Sequence, residues 1–152
     1  MMHPLTSRLL LSMLAVLAGV AKAHSPPDDA RVFFIEPTDG AVVASPVRIE
    51  MGIENFGTTP AGTKGRIRHT SGHHHVLVDV ETLPSMDAPI PRDAQHLHLD
   101  GGGTELMLDL PPGRHSLQLL LGDEEHEPHA PPLLSERIWI TVTGDEPMES
   151  RQ

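Results

Sequence analysis

The sequence predicts an all-β protein, an immunoglobulin-like antiparallel sandwich of about seven strands. Short alternating or apolar runs recur from Arg31 to Thr143, separated by proline and glycine. No long helical period interrupts them. The absence of cysteine leaves the packing of these runs, not disulfides, to hold the fold.

The elements follow in order. "RVFFIE" (Arg31 to Glu36) is the first strand, closed by the turn residues "PTDG". The stretch from Ser45 to Asn55 is the second, with Val47, Ile49, Met51 and Ile53 on one face. "HHHVLVDV" puts His74, Val76, Val78 and Val80 on a core face, and His73, His75, Leu77 and Asp79 on the other. "QHLHLD" and "TELMLDL" follow, with "GGG" (Gly101 to Gly103) between them as a hairpin turn. No helix follows those glycines, so they are not a nucleotide cradle. A Pro-Pro-Gly turn then leads into a strand from His115 to Leu121. "ERIWITVT" closes the set, with Ile138, Ile140 and Val142 inward. There is no internal repeat.

The first 23 residues read as a secretion signal: a positive charge at Arg8, an apolar core from Leu9 to Ala21, and "AKA" ending at Ala23. That core is too short to span a bilayer, and with no cysteine there is no lipoprotein anchor. The expectation is a periplasmic or secreted protein without a membrane anchor, cleaved near Ala23. Residues 24–30 then form a flexible leader, 31–144 the domain and 145–152 a disordered tail. Cleavage leaves 9 basic and 21 acidic residues, a formal charge of −12 with histidine neutral. Such a surface repels nucleic acid and attracts cations. Aromatic residues are 3% of the chain, too few for stacking platforms.

Two connections are long: Gly57 to Gly72 and Gly122 to Ser135. Loops beyond about 12–15 residues tend to be functional or disordered. The first delivers the histidine triplet, and the second carries "HEPH".

His73 and His75, on one strand face, have Cα atoms about 6.7 Å apart, within reach of one ion given Zn–N bonds of about 2.0–2.1 Å. His96 and His98 repeat that geometry, with Asp100 on the same face, and His126 and His129 add a loop pair. Six imidazoles (His73, His75, His96, His98, His126 and His129) suit copper or zinc. Spacing leaves their convergence open. One H-x-H pair alone is more simply a solvated strand face. His74 reads as a core-edge histidine hydrogen-bonded to backbone, His115 as structural and His69 as solvated. A new N-terminus at His24 would be a compact copper(II) ligand, although nothing ties it to the other histidines.

Familiar catalytic patterns are missing. "HEPH" is not H-E-x-x-H, and there is no G-x-S-x-G. Asp123, Glu124 and Glu125 read as a solvated loop face.

The motifs "VFFIEPTDGAVVASPV", "GHHHVLVD", "PIPRDAQHLHLDGGGTE", "LPPGRHSLQLLLGD" and "HEPHAPPLLSERIWITV" resemble a bacterial exported family known as domain of unknown function 4399. They run from Val32 to Val142. The resemblance carries His73, His74, His75, His96, His98, His126 and His129 as family positions, with Gly101 to Glu105, and implies no activity. His24 lies outside it. The opening strands are also similar, more loosely, to periplasmic copper-carrier sandwiches.

Three readings therefore stand. One is a metal-binding sandwich that buffers or carries copper or zinc, whose affinity falls as pH drops through about 6.5. Another is a structural or interaction module that meets an envelope protein partner through its long loops. The third, a metal enzyme using Glu105 or Glu125, has no spacing that singles out its acid or base.

Overall fold

The computed structural model describes residues 25–64 and 70–144. The predicted signal segment, His24, His69 and the tail from Asp145 lie outside them. Nine strands and no helix are found among the described residues, so no helix there is long and apolar enough to cross a membrane.

The strands are β1 (Arg31–Glu36), β2 (Val42–Ala44), β3 (Val47–Glu54), β4 (Gly57–Thr58), β5 (Ser71–Val78), β6 (His96–His98), β7 (Glu105–Leu108), β8 (Gly113–Gly122) and β9 (Ile138–Thr143). They form two sheets. The smaller has the order β1-β3-β7; the larger runs β2-β9-β8-β5-β4, with β6 also paired to β5. The main ladders are antiparallel, but β2 pairs parallel with β9 and β4 parallel with β5. These two short strands are additions to the predicted set. With two and three residues they carry no detectable alternation, and β4 sits inside what the sequence presents as a loop.

Between the sheets lies the main core. Val47, Ile49 and Met51 of β3 meet Val76 and Val78 of β5, Leu117, Leu119 and Leu121 of β8, and Ile138, Ile140 and Val142 of β9. Each of these runs has period two, as strands with one core face must.

The outer face of the larger sheet is not left to solvent. Leu77, Val80, Ile90 and Leu120 form a second cluster, with Leu83, Met86 and Leu134 packed on it. The segments after β5 and after β8 cover that face, so every residue of β5 is buried. The predicted placement of Val80 on the valine face is overturned here. Asp79 has φ of 53°. That left-handed turn ends the alternation and sends Val80 to the outer cluster.

The Gly101–Gly103 hairpin is also overturned. β6 pairs with β5 in the larger sheet and β7 with β3 in the smaller. The glycines carry the chain across from one sheet to the other. Local turn chemistry is the same for a hairpin and a crossover, and only the pairing partners tell them apart.

Asp79 has a second use. Its carboxylate accepts from the Ser116 amide at 2.8 Å and from His115 Nδ1 at 2.7 Å, while His115 Nε2 donates to the Pro111 carbonyl at 2.9 Å. An imidazole that donates from both nitrogens is protonated. Burial opposes that charge, but the hydrogen bonds to Asp79 and Pro111 outweigh it and raise the pKa above 6.5. Stability from this pair is therefore full below the ordinary histidine pKa and is lost as pH rises through the raised one. Asp79→Asn should bring the His115 pKa down in an NMR titration and cost about 1–3 kcal/mol at pH 6. An unmoved titration curve would show that the carboxylate does not hold the proton there.

Candidate metal centre

β5 supplies three consecutive histidines, and all three are buried: His73 is 1% exposed, and His74 and His75 are 0%. Alternation divides them. His74 shares the inner face with Val76 and Val78, whereas His73 and His75 share the outer face with Leu77.

On the outer face, His98 of β6 is directly opposite His75 in register. The two rings meet edge to face, with centroids 4.2 Å apart. His73 and His75 are 4.6 Å apart. His126 arrives from the segment after β8, its centroid 4.7 Å from that of His73 and 5.1 Å from that of His98. One ring nitrogen of each residue can be chosen so that all four lie within 4.8 Å of one another. Tetrahedral zinc with bonds of about 2.0–2.1 Å separates its donors by roughly 3.3 Å. Closing the four donors onto one ion therefore takes a shift of at most about 1.5 Å between any two of them.

The backbone is adapted to this grouping. Gly122 faces His73 across the β5–β8 ladder. A Cβ on Gly122 would stand 2.5 Å from Cε1 of His75. His126 has φ of 66°, and its loop is tied down at both ends: the Asp123 carboxylate accepts from the Glu125 and Glu127 amides, and the His126 carbonyl accepts from the Ile90 amide. Asp123 thus shapes the loop, where the sequence suggested only a solvated face.

Several ring nitrogens point at nothing. His73 Nε2, both nitrogens of His75 and His98 Nδ1 are buried without a hydrogen-bond partner. Buried polar atoms are almost always satisfied, so four orphans in one pocket need an explanation such as an ion. The opposite nitrogen of His98 is engaged: Nε2 donates to the Pro91 carbonyl at 2.7 Å. That bond fixes the tautomer and leaves the Nδ1 lone pair toward the cluster, as an outer hydrogen bond orients a metal-ligating imidazole.

Burial, with repulsion from neighbouring histidines, lowers the His73 pKa to about 4 and the His75 pKa to about 2. Burial also lowers that of His98. These rings are neutral near pH 7 and ready to ligate. The expectation that proton competition begins near 6.5 moves accordingly to lower pH for His73 and His75.

The remaining candidates lie elsewhere. His96 is on β6 beside Leu77, but its Nδ1 donates to Asp93 at 2.8 Å. His129 lies across β5, over Gly72 on the inner face and edge-on to Phe56 at 5.1 Å. A Cβ on Gly72 would come within 2.8 Å of His129 Nε2. His74 corrects a further expectation: neither of its ring nitrogens has a hydrogen-bond partner, and burial lowers its pKa to about 4. Glu105 belongs to the smaller sheet, ion-paired with Arg48 at 3.1 Å, well away from the cluster's strands.

Two residues at the rim were not among the candidate ligands: Asp100, placed on the His96 and His98 face, and Arg92. Arg92 Nη2 donates to both oxygens of Asp100, at 2.8 and 2.7 Å, and His126 Nε2 donates to Asp100 Oδ1 at 3.2 Å. The signal for Asp100 is its place two residues beyond His98 in the H-x-H-x-D alternation. Arg92 offered none.

Fold and site together define a two-sheet β-protein with a four-histidine cluster, two of its members buried and two partly so, on the covered face of its larger sheet. The chain belongs to the domain-of-unknown-function family DUF4399, whose profile matches residues 49–143. That span holds all four clustered histidines; β1 and β2, part of the motif resemblance, precede it. No curated protein and no solved structure matches the chain.

Proposed function

We propose that this is an exported, periplasmic or secreted protein that buffers or carries copper(II) or zinc(II) through His73, His75, His98 and His126. The observation that carries the reading is the set of buried, unpartnered ring nitrogens converging from β5 and β6, with His126 beside them. Imidazole donors suit both ions, and the acidic surface concentrates cations around the mouth. His126 is the entry point, its side chain 26% exposed. An envelope protein that supplies or receives the ion would dock there, on the segment after β8.

The strand orders β1-β3-β7 and β9-β8-β5 correspond to strands A-B-E and G-F-C of an immunoglobulin-like sandwich, which supports that fold assignment. In such a scaffold the sheet holds three ligands, His73 and His75 on β5 and His98 on β6, while a loop completes them with His126.

The test is a calorimetric titration of zinc(II) and copper(II) into the protein lacking residues 1–23. The reading expects submicromolar, one-to-one binding. His73→Ala/His75→Ala should weaken it more than 100-fold, and His96→Ala/His129→Ala should leave it within about threefold. Weak, non-stoichiometric binding, or equal losses in the two variants, would turn the histidines into scaffolding.

A further inference from the structure

We propose that Asp100 is a fifth donor of the cluster, an anionic ligand that makes the site selective for divalent over monovalent ions. This rests on the metal-binding reading and adds to it the charge class of the ion.

Asp100 stands at the edge of the cluster, next to two of its four histidines. Asp100 Oδ1 lies 3.2 Å from His126 Nε2 and 3.8 Å from His98 Nδ1. Two of the cluster's histidines thus present nitrogens to one carboxylate oxygen. His98 Nδ1 is the buried nitrogen left without a partner. Neighbouring donors around an ion with bonds of about 2.0–2.1 Å stand roughly 3–3.5 Å apart; the 3.2 Å separation from His126 falls in that range and the 3.8 Å separation from His98 lies just beyond it.

The carboxylate is also held in place. Arg92 Nη2 donates to both oxygens, at 2.8 Å to Oδ1 and 2.7 Å to Oδ2, which anchors the group with Oδ1 also next to His126. The Asp100 carbonyl accepts from the Ala61 amide at 2.8 Å, which ties the backbone to the neighbouring loop. Arg92 Nη2 is 3.4 Å from His126 Nε2, so a positive charge sits at the rim. Asp100 pairs with that charge and offsets it beside His126.

Charge supplies the selectivity. Four imidazoles are neutral donors, so a divalent ion would bring two uncompensated charges into a buried pocket. The desolvation cost rises steeply with ionic charge, and one carboxylate offsets it far more for a divalent ion than for a monovalent one. A soft monovalent ion such as copper(I) is served by neutral nitrogen and gains little from oxygen.

The test compares wild type with Asp100→Asn, an isostere that removes the charge at a residue whose side chain is 46% exposed. Zinc(II) affinity is measured by chelator competition, and copper(I) affinity by anaerobic competition with a chromophoric chelator. Zinc(II) binding should weaken about 10–100-fold while copper(I) binding changes less than threefold. Cobalt(II) serves as a spectroscopic probe: wild type should show the weak visible bands of five-coordination, and Asp100→Asn the stronger bands of a tetrahedral site. Zinc(II) binding unaffected by the substitution, or equal losses for both ions, would overturn the proposal while leaving the four-histidine site standing. A wild-type protein that binds neither ion would overturn both.

Discussion

Acidification from pH 7 to 4 should remove about 5 kcal/mol of folding stability from the metal-free protein, a large part of the 5–15 kcal/mol typical of a domain. The source is β5. Burial holds His73 and His74 at about 4 and His75 at about 2, against 6.5 for a free imidazole. Between those values the unfolded chain binds protons that the folded chain excludes. Stability is therefore full above pH 6.5 and falls as the pH drops toward 4, by up to about 1.4 kcal/mol per pH unit for each ring. The three rings are adjacent and do not titrate independently, so the sum is held below three full contributions. Denaturant unfolding at half-unit steps measures the slope. His74→Leu is the informative variant, because that ring lies on the inner face, away from the cluster. It should reduce the slope by about one proton and raise stability at pH 7 by about 1–3 kcal/mol, since two unsatisfied nitrogens disappear. A stability curve flat from pH 7 to 5 would mean that the rings are not buried neutral.

Gly72→Ala should be the most damaging single methyl in the sheet. Its Cβ would lie 2.5 Å from the backbone oxygen of Gly122 and 2.8 Å from His129 Nε2. A ladder carbonyl cannot move aside without disturbing the β5–β8 pairing, so a loss of roughly 2–4 kcal/mol is expected. Gly122→Ala works on the other face: the methyl meets the His75 ring, which has the cluster behind it. It should cost both stability and metal affinity. Gly101→Ala is the control, with nothing within 4 Å, and should stay within about 0.5 kcal/mol. Chemical denaturation of the three variants side by side decides the matter. Three equal losses would mean that helix and strand propensity, not the close contacts, governs these positions.

The longer strands were legible because one face of each is buried. Val47, Ile49 and Met51, or Ile138, Ile140 and Val142, announce themselves by period two. The same rule separated His73 and His75 from His74. It could not show that loops roof the outer face, since a strand buried on both sides reads as a polar strand when its outer residues are histidines. Choosing among the six candidate ligands needed tertiary information as well. His96 and His98 are equivalent in the alternation, and only Asp93 draws one ring away. His126 and His129 share one loop but end on opposite faces of β5, with a left-handed residue at 126 and no side chain at Gly72 beneath His129. Asp79 illustrates the opposite limit. Its alternation looked regular, and its positive φ follows from hydrogen bonds to residues more than thirty positions away.

The four clustered histidines come from two strands and a loop that lie far apart in the chain and meet only through the β5–β6 and β5–β8 pairings. An unfolded chain offers isolated imidazoles and no shared pocket. If the chain is exported as proposed, it crosses the membrane without carrying its ion along, and under the metal-binding reading loading waits until the sheet has closed. Ion supply then acts as a thermodynamic latch on the finished molecule: at a free ion concentration one hundred times the dissociation constant it adds about 2.7 kcal/mol. A compartment short of the ion would hold the same protein in a looser, acid-labile form that proteases remove sooner. The abundance of the protein would then follow the metal content of its surroundings with no regulator in between.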